Sequence, residues 1–222
     1  MDETLSHLLQ HHQIRNTIVV AIWNNGAYRH AEYFPQKALQ GLAPAIKDSV
    51  VINSLMNQPQ ADNYLLFLTK ELKPFIDSAY STHKDKANTF IAGSSMGGLI
   101  SLYAICEYPN TFGGAACMST HWLGILSPKY EAIPTAIIAY AKAHLPSPKD
   151  HKLYFDYGSA TLDRFYKPYQ KRMDKVMKEK GYTQTNWITK EFSGDDHSEK
   201  SWSRRLYIPM QFLVSNNERQ KK

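Results

Sequence analysis

Thr89-Phe90-Ile91-Ala92-Gly93-Ser94-Ser95-Met96-Gly97-Gly98 runs from a short apolar strand pattern, Thr89 to Ala92, through a turn of small residues and straight into a helical pattern from Gly97 to about Glu107, closed by Pro109. Ser95 is the central residue of G-x-S-x-G, in the strand-turn-helix setting that this pattern needs. The turn is tight, and glycines two positions either side of the serine let strand and helix approach without Cβ clashes while the hydroxyl is pushed into the open. Ser94 does not have that spacing. The reading of Ser95 as a nucleophile rests on the flanking strand and helix as much as on the five residues.

Outward from this junction, strand-like apolar runs alternate with longer helical patterns, which points to an α/β domain with a mainly parallel sheet. A helix over residues 2–10 carries Leu5, Leu8 and Leu9, and Thr17-Ile18-Val19-Val20-Ala21-Ile22-Trp23 reads as a buried strand. Residues 27–60, with Pro35, Gly41 and Pro44, read as a long irregular surface segment that could shape a pocket. A helix over 61–73 is expected to be interrupted or kinked by Pro74. Beyond Pro109 the pattern predicts strands at 114–118, 152–156 and 185–192, and helices at 132–144, 162–180 and 198–214. Neither repeat nor low-complexity tract interrupts the 222 residues, so the chain reads as one domain, 1–222.

A serine hydroxyl is a weak nucleophile at neutral pH and needs a base, with a third group to orient that base. In α/β-hydrolases, which carry the serine on a turn of this kind, the acid and then the histidine come after it along the chain. That order removes His7, His11, His12, His30 and His83 and leaves His121, His144, His151 and His197. His197, in Gly194-Asp195-Asp196-His197 between the last strand and the last helix, is placed to reach over the carboxyl edge of a sheet. His121 and Trp122 are read as lining a substrate pocket, with a hydrogen-bonded structural His121 as the competing reading. Two carboxylates come after one strand: Asp156, which could hold a loop through backbone N–H groups, and Asp163, which is either the orienting acid or a helix N-cap.

Composition narrows the classes. Hydrophobic residues make up 43%, charged residues 21% and aromatic residues 12%, a globular balance rather than a disordered one. No apolar run approaches the ~20 residues of a membrane helix, and the start Met1-Asp2-Glu3-Thr4 is acidic where a secretory signal is basic. The sequence as written therefore reads as soluble and cytoplasmic, with no membrane partner. Cys106 and Cys117 have no disulfide or zinc spacing and read as buried thiols. Asp195-Asp196 beside His197 has no second ligand group at suitable spacing, so no metal is expected. Of the net charge of +6, residues 150–222 supply +5, from 15 Lys and Arg against 10 Asp and Glu. Much of that lies opposite Tyr169, Met173, Val176 and Met177, which keep helical spacing, so the charge reads as a solvated helix face and not a nucleic-acid site.

With these residues in view, the chain resembles the esterase D family of α/β-hydrolases, which includes S-formylglutathione hydrolases, feruloyl esterases, siderophore esterases and mycolyltransferases. The resemblance is carried by Ile18 to Ile22 with Arg29, Glu32, Tyr33 and Pro35; Glu71 to Asp77; Ala92 to Gly98; Phe112 to Gly114; Asp156-Tyr157-Gly158 with Leu162-Asp163; and His197 with Glu199, Trp202 and Arg205. It implies a three-layer α/β-hydrolase sandwich and a serine carboxylic-ester hydrolase without a cofactor. Ser95 is then the nucleophile, His197 the base, Asp163 rather than Asp156 the acid, and the Met96 N–H an oxyanion donor. The substrate class is a small-molecule or carbohydrate-linked ester. The competing class is a hydrolase-like binding or scaffold protein without turnover. The resemblance further implies that N-terminal strands of the family are absent, one of them the neighbour of both 17–23 and 89–92.

Overall fold

In a computed structural model, residues 1–126 and 130–216 are described, and their architecture reflects the period of the strands. Ala115, Cys117, Leu153, Phe155 and Tyr157 enter one apolar cluster while Ala116, Met118 and Tyr154 enter another. Side chains two apart share a face, so these clusters lie on opposite sides of one sheet. The sheet comprises β1 (Phe90–Ser94), β2 (Gly114–Met118), β3 (Lys152–Gly158) and β4 (Trp187–Phe192), in that order and parallel throughout. Every residue of β2 is buried, which is why its sequence is small and apolar without alternation.

Helices cover both faces and make the expected three layers. On one side lie Leu5 and Leu8 of α1 (Asp2–Gln10), and the larger cluster fills the other. To that larger side belong α2 (Arg29–Tyr33), α3 (Pro44–Ser54), α4 (Ala61–Phe67), α6 (Met96–Glu107), α7 (Ala132–His144) and α8 (Lys167–Glu179), with α5 (Lys73–Ala79) continuing the line of α4. Ten of the twelve residues of α6 are buried, so this helix is apolar all round. Helix α8 buries Met173, Val176 and Met177, and full burial of such side chains stabilises by roughly 1.5–3 kcal/mol each. Met210, Leu213 and Val214 of α10 (Tyr207–Val214) pack beside α1.

Several expectations need correction. Residues 17–23 form no strand: Ile18, Val19, Val20 and Ile22 are 37–50% exposed and Trp23 is 95% exposed. A β-branched run is competent to pair, but pairing needs a neighbour's ladder, and β1 and β4 are the edges of the sheet that the described residues form. Residues 27–60 are largely helical, with α2, α3 and a 3₁₀ turn over Gln36–Gly41, and they bury Phe34, Leu39, Val50 and Leu55. The pieces at 29–33 and 36–41 are too short for a helical period to show, and α3, though longer, buries Val50 alone and so carries no apolar stripe.

At Pro74 the helix is disrupted without ending. A π-helical turn over Leu68–Leu72 joins α4 to α5, shifting the hydrogen-bond register just where a prolyl nitrogen has no proton to give. Conversely, 198–214 splits into α9 (Glu199–Arg205) and α10, since Pro209 leaves the Arg205 carbonyl without its helical donor. In the same way 162–180 splits into a 3₁₀ turn, Thr161–Phe165, and α8, with Pro168 near the break. Among the described residues no helix is long and apolar enough to cross a membrane.

Candidate active site

Ser95 sits between β1 and α6 with φ +59° and ψ −122°, a conformation that costs an L-residue energy. A Cβ on Gly93 would lie 2.5 Å from the carbonyl carbon and oxygen of Gly97, so only glycine fits there. The requirement is one-sided: a Cβ on Gly97 itself would meet nothing within 4 Å. Ser95 is held from behind by its N–H, which donates to the Met118 carbonyl at 2.9 Å, and the residue is 8% exposed, less open than the motif alone suggests. Its hydroxyl faces His197, with Oγ 2.8 Å from Nε2.

Each of the four strands sends one residue of the site from beyond its carboxyl end. Ser95 comes after β1, Ser119 after β2, Asp163 beyond β3 and His197 beyond β4, at the edge where loops of a parallel sheet converge. His197 Nδ1 lies 2.5 Å from Asp163 Oδ1. Nδ1 therefore carries the proton toward the carboxylate, and Nε2 is left to accept from the Ser95 hydroxyl. The β3 and β4 loops are stitched together: the Asp195 carbonyl accepts from the N–H groups of Ser159 and Ala160, both at 3.0 Å, and the His197 N–H donates to Thr161 Oγ1 at 2.8 Å. A Cβ on Gly158 would fall 2.2 Å from that Asp195 carbonyl oxygen.

Near the end of β3 lies a second carboxylate. Asp156 accepts from the Ser119 N–H, the Tyr154 hydroxyl and, through both oxygens, the Arg205 guanidinium. Burial pushes the Asp156 carboxyl above its ordinary value, with the Arg205 charge the largest opposing influence. Asp156 thus holds a loop, as expected of it, and makes no contact with His197 among its hydrogen bonds. Asp163 is fully buried, and its side chain accepts from Gly158 N–H and Ser119 Oγ rather than capping a helix.

His121 and Trp122 are each 1% exposed. The ring nitrogens of His121 bond the Tyr166 hydroxyl and the Ile125 carbonyl, and the Trp122 indole donates to Gln170 Oε1. Their polar atoms are committed inside the protein, which fits the structural reading of His121 and leaves no polar group of either for a ligand. Burial pushes the His121 pKa down to about 4. His197 is flanked by Trp202 and Tyr166, both edge-on, with ring centroids at 4.9 and 5.7 Å, and by the His121 ring at 6.5 Å. His144 and His151 lie elsewhere, the latter bonded to the carbonyls of Ser147 and Pro109. Asp195 pairs with Arg204 and Arg205, and Asp196 accepts from the hydroxyls of Ser198 and Ser201.

Ser119, Thr161 and Tyr166 carried no sequence signal. Ser119 and Thr161 have φ of +40° and +48°, so with Ser95 three of the non-glycine residues in this strained region touch the site. Each is a hydroxyl residue whose side chain bonds another part of it.

The profile of the family described as "Putative esterase" matches residues 1–208. The chain belongs to that family. This esterase-family chain is 25% identical over 163 residues to the Bacillus subtilis (strain 168) protein described as "Uncharacterized protein YbbA", an alignment that takes in 70% of this chain and 60% of that protein. Among solved structures it is similar to a ferulic acid esterase, with TM-score 0.54 and 20% identity over 68% of this chain and 60% of that one. It is also similar to an S-formylglutathione hydrolase from Staphylococcus aureus, with TM-score 0.51 and 16% identity over 70% and 61% of the two chains. These likenesses show an α/β-hydrolase fold for the esterase-family chain, which spans 60% of the length of the curated relative it matches.

Proposed function

We propose that the chain is a serine carboxylic-ester hydrolase that works through an acyl-enzyme. The observation that carries this reading is the position of His197 between Ser95 and Asp163, at 2.8 and 2.5 Å. Ser95 Oγ attacks the ester carbonyl while His197 Nε2 takes its proton, and Asp163 stabilises the imidazolium and fixes its tautomer. Met96 opens α6, where first-turn N–H groups have no helical acceptor, so its N–H is available to the developing oxyanion. A single donor of that kind is worth ~2.7–4 kcal/mol in known cases. His197 returns the proton to the leaving alcohol, which departs and leaves the acyl group on Ser95. Water, activated by the same nitrogen, then releases the acid and regenerates the serine.

The substrate is proposed as a small-molecule or carbohydrate-linked ester, in keeping with the ferulic acid esterase among the structural neighbours. Fluorophosphonate labelling of the chain, with p-nitrophenyl acetate turnover beside it, tests the reading. Labelling and turnover that both vanish in Ser95→Ala are expected. An unreactive Ser95 would leave a binding or scaffold protein on a hydrolase fold, and turnover that persists in Ser95→Ala would move the nucleophile elsewhere.

A further inference from the structure

The Ser119 hydroxyl has three partners. Trp202 Nε1 lies 3.0 Å away, Arg205 Nη2 2.7 Å and Asp163 Oδ2 2.5 Å. A hydroxyl has one proton and two lone pairs, while an indole N–H and a guanidinium N–H can only donate. Both lone pairs are therefore occupied, and the single proton has one acceptor left, the Asp163 carboxylate. Three of the four groups are closed to solvent, with Ser119 and Asp163 0% exposed and Arg205 2% exposed, and Trp202 is partly buried. Arg205 Nη2 lies 3.9 Å from Asp163 Oδ2, an ion pair too long for a hydrogen bond, and the Ser119 hydroxyl bonds both groups.

The consequence falls on the two oxygens of Asp163. Oδ2 receives both the Ser119 O–H and the Gly158 N–H, each at 2.5 Å, which leaves Oδ1 for His197. We propose that Ser119, locked by Trp202 and Arg205, is a positioning residue that holds the Asp163 carboxylate in the rotation at which Oδ1 meets His197 Nδ1. This rests on the hydrolytic reading of Ser95, Asp163 and His197. The placement of Ser119 supports a role beyond packing: the residue sits at φ +40°, a strained conformation retained where its hydroxyl reaches the carboxylate.

Ser119→Ala and Ser119→Gly remove the hydroxyl, and the glycine variant suits the positive φ, so the test survives a poorly folded alanine variant. Two readouts apply to the full chain. In p-nitrophenyl acetate hydrolysis, kcat is expected to fall about tenfold or more with KM within about twofold, because an orienting contact acts in the transition state more than in substrate binding. In proton NMR, the downfield resonance of the His197 Nδ1–H is expected in the wild type and shifted or broadened in both variants, a readout that needs no turnover. Variants that keep both the wild-type kcat and the wild-type resonance overturn the inference, as does absence of that resonance from the wild type. A wild-type chain that shows the resonance but is not labelled by fluorophosphonate counts against the hydrolytic reading instead, and the NMR comparison still judges Ser119.

Discussion

Arg205 meets Asp156 side-on, Nε to Oδ2 at 3.2 Å and Nη2 to Oδ1 at 3.0 Å, with side-chain exposures of 2% and 0%. The same guanidinium reaches Asp195 through Nη1 at 2.9 Å and packs over the Phe192 ring. One cation therefore ties α9 to the end of β3 and to the loop that carries His197. Forming such a pair from solvated ions gains little, but removing one partner strands the other.

Arg205→Met is accordingly expected to lower unfolding stability by about 3–5 kcal/mol. Asp156→Asn should cost less, about 1–3 kcal/mol, because Arg205 keeps Asp195 and the Ser119 hydroxyl. Urea unfolding of the two variants gives the ranking. A loss below about 1 kcal/mol in Arg205→Met would contradict the account.

The two aspartates should part company in turnover. In Asp163→Asn the amide oxygen is drawn to the Ser119 O–H and Gly158 N–H, which turns the NH₂ group toward His197. His197 Nδ1 must then accept, Nε2 carries the proton, and the base can no longer take one from Ser95. The expected drop in kcat is on the order of the 10⁴-fold known for such an exchange in a Ser-His-Asp site. Asp156→Asn, with no bond to His197, should lose far less, and equal losses would refute the assignment.

The junction of β1 and α6 makes a steric prediction that separates two glycines of the same motif. Gly93→Ala places a methyl 2.5 Å from the backbone of Gly97 and should destabilise by about 1–3 kcal/mol or more. Gly97→Ala meets open space at the start of α6 and should change stability by less than about 1 kcal/mol. Thermal melts of the two variants are the measurement, and similar melts would show that the junction is looser than described.

His121 gives the fold a pH dependence. Burial holds its pKa at about 4, against the ordinary 6.5 that it regains on unfolding. Between those values the unfolded chain binds a proton that the folded chain does not, so stability rises with pH there. The contribution is complete above 6.5 and is lost as pH falls toward 4, on the order of 3 kcal/mol in all. Denaturant unfolding from pH 7 to pH 4 should therefore show a shallower loss for His121→Gln than for the wild type, and parallel curves would exclude the effect.

How far the sequence could be read is clearest at Ser95 and at residues 17–23. The β1–α6 junction is a local signal, since Gly93 and Gly97 must meet across four residues, and the flanking strand and helix declare themselves in the same window. The bounds of β2 and α7 are likewise as the sequence predicts, because each is a short apolar run or a sustained helical period. The run from Ile18 to Ile22 looks equally strand-like, yet it is exposed and unpaired as a strand. β-propensity reports fitness for a ladder, while the ladder itself is supplied by another segment.

By itself, then, the sequence determined the α/β alternation, the nucleophile candidate Ser95, and the order in which an acid and His197 come after it. Preferring Asp163 to Asp156 from sequence took the family resemblance, and which of the two lies against His197 is a matter of the fold. Asp156 lies two residues from Tyr154 on the same face of β3, where Arg205 receives it, whereas the 3₁₀ turn after Gly158 brings Asp163 back over the sheet edge to His197. The parts played by Ser119, Thr161 and Arg205 were decided by the tertiary structure alone. Apart from Asp195, ten residues before Arg205, the partners named for them are 36 to 86 residues away in the chain, and neither a positive φ at a serine or threonine nor the direction of a hydroxyl proton exists until the loops that impose them have closed.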